Sequence, residues 1–92
     1  MRQAEAVALA QEALVWLAGQ PEALGAFLAA SGAAPAELRG RAGDPEFLGF
    51  VLDFVLGSEE GVRDFAAAAG IPPDRPARAR AALPGGDAPE WT

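Results

Sequence analysis

The side chains most suited to acid–base or metal chemistry are two pairs of neighbouring carboxylates. Glu59 and Glu60 are adjacent, and Asp44 and Glu46 lie two residues apart. Such pairs could act as general acid and base, or as ligands of a hard metal ion. Both pairs, however, fall in the first turn of a predicted helix, where acidic side chains interact favourably with the positive end of the helix dipole. We therefore interpret them as helix-start residues and predict no metal and no cofactor.

The missing residue types exclude most catalytic chemistry. The chain contains no Cys, His, Lys, Tyr or Asn. Without Cys there is no thiolate nucleophile, and without His the usual general base and zinc ligand are missing. The only serines, Ser31 and Ser58, lie at predicted helix ends, where no His or Lys can activate them. The sequence therefore predicts that the protein is not an enzyme.

Five arginines recur on the third and sixth predicted helices, at Arg39, Arg41, Arg75, Arg78 and Arg80. They could dock an acidic protein, a phosphate or a nucleic acid, or they could form a solvated face that complements helix C-terminal dipoles. The formal net charge of −6 opposes binding to a phosphate backbone and to anionic membranes. A nucleic-acid-associated regulator that uses these arginines is therefore the alternative hypothesis rather than the main one.

Glycine and proline divide the chain into six segments of helical character. Ala dominates the composition and strong β formers are few, which favours helix. Ser, Asp, Gly and Pro stand where helices are expected to begin or end. The predicted helices cover about 3–18, 21–31, 35–42, 45–56, 58–69 and 73–82. The sequence thus predicts a single all-α domain, a compact orthogonal bundle, with an irregular tail over residues 84–92.

The same punctuation recurs after 38 residues. This shift brings Gly19 onto Gly57 and Gly32 onto Gly70, so that helix starts and stops coincide. Apolar positions follow the same register: Leu9 with Phe47, Ala13 with Val51, Trp16 with Phe54, Leu24 with Val62, and Phe27 with Phe65. We call two residues related by this shift repeat mates. The pattern predicts two similar three-helix halves, 1–42 and 43–83, with helices one and four at the centre.

The fourth helix carries an apolar arc wider than that of an ordinary surface helix. Its apolar residues are Phe47, Leu48, Phe50, Val51, Leu52, Phe54 and Val55. Phe50 stands where its repeat mate, Glu12, is polar. Phe50 and Leu56 are therefore candidate residues of a partner or dimer surface, unless other helices cover this side.

Trp91 lies next to the last residue, where chain ends usually fray. A Trp at this position either packs back onto the domain or is offered to a partner. We predict that Trp91 packs back, and retain partner binding as its other possible role.

Three stretches resemble a family of short alphaproteobacterial proteins, domain of unknown function 3572. They are Ala-Leu-Val-Trp-Leu-Ala at 13–18, Asp-Pro-Glu-Phe-Leu at 44–48, and the ending Leu-Pro-Gly-Gly-Asp-Ala-Pro-Glu-Trp-Thr at 83–92. The resemblance implies a compact bacterial protein of the cytoplasm, and it supplies no activity, cofactor or catalytic residue. A typical ending of this kind would support a docked Trp91 or a tail with a binding role.

The sequence as a whole predicts a non-enzymatic protein-interaction or adaptor module of the bacterial cytoplasm. Its partner would be an unidentified protein, and a homodimer is an alternative that the sequence leaves undecided. No membrane association is predicted, because the apolar-rich stretch 6–18 is interrupted by Glu12 and is too short to span a bilayer.

Overall fold

The computed structural model describes residues 1–85, and within them all regular structure is helical. The helices are α1 (Gln3–Ala18), α2 (Pro21–Ser31), α3 (Leu38–Arg41, preceded by a 3₁₀ turn over Pro35–Glu37), α4 (Pro45–Leu56), α5 (Glu59–Ala69) and α6 (Arg75–Ala81). The radius of gyration is 12.4 Å, close to the roughly 12 Å expected of a compact chain of this length. The predicted all-α bundle of six helices is confirmed.

The helix ends follow the capping chemistry expected from the sequence. The Asp44 carboxylate accepts a hydrogen bond from the Glu46 N–H at 3.0 Å, and Ser58 Oγ accepts one from the Gly61 N–H at 3.0 Å. At the end of α5, Gly70 adopts φ 70°, and the next N–H, from Ile71, donates to the Ala66 carbonyl at 3.0 Å. This is a Schellman-type end, which explains why glycine stands there.

The third and sixth helices differ in detail from the prediction. The third begins as a 3₁₀ turn, and neither this turn nor α3 contains a buried residue. The sixth begins at Arg75, one or two residues later than expected, with Pro76 in its first turn. Proline lacks an N–H and is tolerated only in the first turn of a helix, so Pro76 limits how early α6 can begin.

The core lies between α1 and α4, with α6 packed against both. The buried residues are Ala6, Leu9, Ala10, Ala13, Leu14, Leu17, Phe27, Ala33, Phe47, Leu48, Val51, Leu52, Val55, Phe65, Ala66, Ala79 and Leu83. Alanines on α1 and Ala79 on α6 permit close approach of the three helices. The chain turns sharply after α1, and the axes of α1 and α2 differ by 117°.

The two predicted halves pack crosswise. In addition to the α1–α4 contact, α1 packs on α5 and α4 packs on α2. The third helices differ: α6 buries Pro76 and Ala79 against α1 and α4, whereas α3 has no fully buried residue and packs only half-buried Leu38 against the core. The Gln11 Nε2 donates to the Ala42 carbonyl at 2.7 Å and fastens the end of α3 to α1. A deeper sixth helix thus distinguishes the second half.

No single helix in the described part of the chain is long and apolar enough to cross a membrane. Only α1 and α2 together pass such a test, as a strongly bent pair.

Candidate interaction surface

An apolar groove runs between α1 and α5, and we call it the Trp16 groove. It has a volume of about 520 Å³ and is lined by Ala8, Gln11, Glu12, Val15, Trp16, Phe65, Ala68 and Ala69. Trp16 and Phe65 pack against each other, with ring centroids 5.6 Å apart. Among the lining residues only Glu12 is charged. The groove therefore combines an aromatic wall with a single acidic residue.

Val15 is the most exposed large apolar residue of the described chain, with 74% of its surface accessible. It follows Gln11 and Glu12 by one helical turn and so lies on the polar side of α1. A single exposed valine is ordinary on a protein surface. Here, however, Val15 lines the same groove as half-buried Trp16 and exposed Ala68, so the three side chains form one apolar surface.

A second groove, the axial groove, opens on the other side of Trp16. It has a volume of about 540 Å³ and lies among the C-terminal ends of α1 and α4 and the first turns of α2 and α5. Trp16 and its repeat mate Phe54 both line it. Its charged lining residues are acidic: Asp53, Glu60 and Asp64. Neither groove presents a cation, so both favour apolar or basic ligands.

Phe50 is half-buried and belongs to the interface between α4 and α2. Its ring centroid lies 5.6 Å from that of Phe27, which is fully buried and also contacts Phe47 and Phe54. The uncovered edge of Phe50 borders a depression of about 360 Å³, which we call the Phe50 depression. Arg41 also lines this depression, with its guanidinium 5.3 Å from the centre of the Phe47 ring.

Leu56 lies in a different place from Phe50. It is half-buried in a shallow depression shared with Glu59, Val62 and Arg63, at the junction of α4 and α5. The fold thus does not bring the two predicted partner-binding residues of α4 into one depression.

Arg80 is engaged within the fold. Its Nε and Nη2 donate to the two carboxylate oxygens of Asp53 at 2.6 and 3.1 Å, and its Nη1 donates to the Pro84 carbonyl at 3.0 Å. The Arg80 side chain is only 16% exposed, against 51% for Asp53. This paired geometry joins α6, α4 and the segment after α6. A binding role for Arg80 would require this ion pair to open.

The other arginines are distributed over the surface. Arg78 is exposed, and Arg75 is half-buried beside Glu5 and Glu12 in a shallow depression. The helix that carries them packs on α1, α4 and α5, whereas α3 with Arg39 and Arg41 packs mainly on its own 3₁₀ turn. Arg75 and Arg80 thus lie beside acidic side chains, and Arg41 shares the Phe50 depression with Asp44 and Glu46. Trp91, the remaining predicted site residue, lies outside the described residues.

The described chain also lacks any grouping of three or more acidic side chains that could hold a metal ion. Asp44, Glu46, Glu59 and Glu60 are exposed in the first turns of α4 and α5 or at their caps.

The Trp16 groove was not predicted from the sequence, where Trp16 stood out only as the repeat mate of Phe54 and Val15 had no assigned role. The sequence feature that indicated it was the position of Val15, an apolar residue one turn after Gln11 and Glu12 on the polar face of α1.

The whole chain was also compared with known proteins. It matches no curated protein and no solved structure. One family model matches residues 3–86, a range that includes every helix described above and the stretches 13–18 and 44–48. The match ends before residues 87–92, so most of the ending that resembled the family lies outside it. The chain belongs to the family described as Protein of unknown function (DUF3572).

Proposed function

We propose that this protein is a non-enzymatic protein-interaction module, an adaptor or small regulator of the bacterial cytoplasm, and that it binds its partner through the Trp16 groove. The observation that supports this is the exposed Val15 beside half-buried Trp16, which makes a continuous apolar surface on a small acidic protein. Contiguous exposed apolar surface of this kind often marks an interaction site.

The non-enzymatic part of the proposal rests on residue types. The groove is lined by alanines, Val15, two aromatic rings, Gln11 and Glu12. The lining contains no hydroxyl, thiol, amine or imidazole, and its one carboxylate, Glu12, is exposed and lies beside no second acid in the groove. General acid–base catalysis needs a positioned group whose proton affinity suits its task, and the lining supplies no such arrangement.

The test is quantitative affinity capture from the source organism with the full-length tagged chain. Val15→Glu places a charge on the exposed apolar surface without disturbing the core. Ala26→Glu is the matched control, because Ala26 is exposed on α2 and lines none of the grooves described here. We expect proteins enriched by the wild type and by A26E to be lost with V15E. The same enrichment with all three chains would contradict the proposal.

A further inference from the structure

Two aromatic contacts between the predicted halves are related by the repeat shift of 38 residues. Trp16 of α1 packs on Phe65 of α5 at 5.6 Å, and their repeat mates, Phe54 of α4 and Phe27 of α2, pack at 5.4 Å. The first helix of each half thus packs an aromatic ring on the second helix of the other half. Such crossed contacts are those of a pseudo-two-fold arrangement.

The axial groove has the same symmetry. Eight of the residues that line it form four pairs of repeat mates: Trp16 with Phe54, Leu17 with Val55, Gln20 with Ser58, and Ala23 with Gly61. Because both members of each pair face one groove, the groove lies on the pseudo-two-fold axis.

The Trp16 groove and the Phe50 depression then occupy equivalent places in the two halves. Four residues of each are repeat mates: Ala8 with Glu46, Glu12 with Phe50, Ala68 with Ala30, and Ala69 with Ser31.

Two rings of the second half have no aromatic repeat mate: Phe47, whose mate is buried Leu9, and Phe50, whose mate is exposed Glu12. In the second half Phe50 packs on Phe27 at 5.6 Å and leaves a depression of about 360 Å³. In the first half Glu12 stands at the position of Phe50, and the groove beside Phe65 is about 520 Å³. An exposed carboxylate does not pack on an aromatic face as a phenyl ring does. The first half thus has room for a ring that the second half supplies from its own chain.

We propose that the Trp16 groove binds an aromatic side chain of a partner protein, next to a basic residue that contacts Glu12. This inference rests on the proposed function and specifies its ligand. The aromatic ring follows from the equivalent position of Phe50, and the basic neighbour follows from Glu12 as the sole charge of the lining. The chain's own Trp91 is a poorer occupant by charge, because acidic Asp87 and Glu90 accompany it in the sequence.

The experiment follows amide and indole resonances of the full-length ¹⁵N-labelled protein by NMR. The probe is the blocked tripeptide Arg-Trp-Arg, compared with Arg-Ala-Arg and Glu-Trp-Glu. We expect Arg-Trp-Arg to shift the resonances of Val15, Trp16 and Ala68 saturably, and the other two peptides to bind at least roughly tenfold more weakly. Equal shifts with Arg-Ala-Arg would overturn the aromatic part, and equal shifts with Glu-Trp-Glu the basic part.

Two substitutions at one position separate the ring from the charge. Glu12→Phe supplies the ring of the repeat mate and should raise Tm and weaken peptide binding by roughly tenfold or more. Glu12→Gln leaves the groove open and should weaken binding by only about two- to fivefold, as for one exposed ion pair. Glu22→Phe, outside the groove, is the control and should leave binding unchanged. Unchanged binding by E12F would overturn the proposal.

Further variants distinguish other occupants and other failures. If Trp91→Ala alone shifts the groove resonances of the free protein, the occupant is the chain's own tail and the proposal is wrong. If Arg-Trp-Arg fails to bind while V15E still abolishes capture of cellular partners, this inference is overturned and the proposed function stands. If the peptide binds but V15E leaves capture unchanged, the groove has the inferred chemistry and the proposed function is overturned.

Discussion

Arg80 holds both carboxylate oxygens of Asp53, 27 residues away in the sequence, and so joins α6 to α4. The same guanidinium satisfies the Pro84 carbonyl. Its stem is largely buried, whereas half of the Asp53 side chain remains in solvent. The Asp53 end of this interaction is therefore screened, and most of the stabilisation should come from packing of the arginine stem and from the geometry of the paired hydrogen bonds.

Arg80→Ala should lower the free energy of unfolding by about 1–2 kcal/mol, because it removes buried stem contacts and leaves the Pro84 carbonyl without its donor. Arg78→Ala, on the exposed side of the same helix, is the matched control and should change it by less than about 0.5 kcal/mol. Urea unfolding followed by circular dichroism measures both. Equal effects of the two variants would show that the ion pair contributes nothing specific.

Gly49 lies under the Arg80 guanidinium, and a Cβ added there would lie 2.8 Å from Nη1. Gly49→Ala gains helix propensity of about 1 kcal/mol, but it must displace the guanidinium from Asp53. We expect the two effects nearly to cancel in the wild-type background. In Arg80→Ala the gain should appear in full, at about 1 kcal/mol of added stability. An additive double-mutant cycle would disprove this coupling.

Substitution of two glycines by alanine should change the stability of the protein in opposite directions. Gly70 ends α5 at φ 70°, so Gly70→Ala should destabilise by about 1 kcal/mol through strain in the left-handed region. Gly25 lies within α2, and a Cβ there would meet nothing within 4 Å. Gly25→Ala should therefore stabilise by about 0.5–1 kcal/mol. Thermal unfolding of the pair tests the assigned backbone conformations, and a shared sign would contradict them.

Phe50 and Leu56 remain predicted partner-binding residues, and their structural settings differ. Phe50→Ser should cost about 1–3 kcal/mol of stability, because the ring packs on Phe27, whereas Leu56→Ser should cost about 1 kcal/mol. Partner capture by the folded variants provides the functional measurement. If capture is lost with either variant but retained with V15E, the interaction surface lies on α4 rather than at the Trp16 groove.

Duplex DNA provides a direct check of the alternative hypothesis. The formal net charge is −6, and Arg80 is held by Asp53. We therefore expect no binding in a titration at about 50 mM salt, where counterion release favours even non-specific complexes. Saturable binding that weakens after Arg75→Ala and Arg78→Ala would instead support a nucleic-acid role.

The helix boundaries were predictable because their causes are local. Asp44, Ser58 and Gly70 each act within one turn of their own helix. The Arg80–Asp53 pair could not be predicted in this way, since it depends on how α6 is seated against α4. The sequence showed Arg80 only as one of several surface cations.

The Trp16 groove could be predicted only in part. Trp16 and Phe65 were identified in the sequence as apolar positions, each with an aromatic repeat mate. That Val15 would remain uncovered depends on how the neighbouring helices pack, and helix propensity carries no information about such packing. The register between Glu12 and Phe50 was visible in the sequence, but its meaning required the contact between Phe50 and Phe27.

The crossed packing of α1 on α5 and of α4 on α2 has a consequence for folding cooperativity. α1 packs on both α4 and α6, so each predicted half buries apolar surface against the other, and neither 1–42 nor 43–83 should persist as a separate folded fragment. Loss of structure in one half uncovers aromatic rings in the other, and the two must then melt in a single transition. The two predicted halves should in this sense form one folding unit.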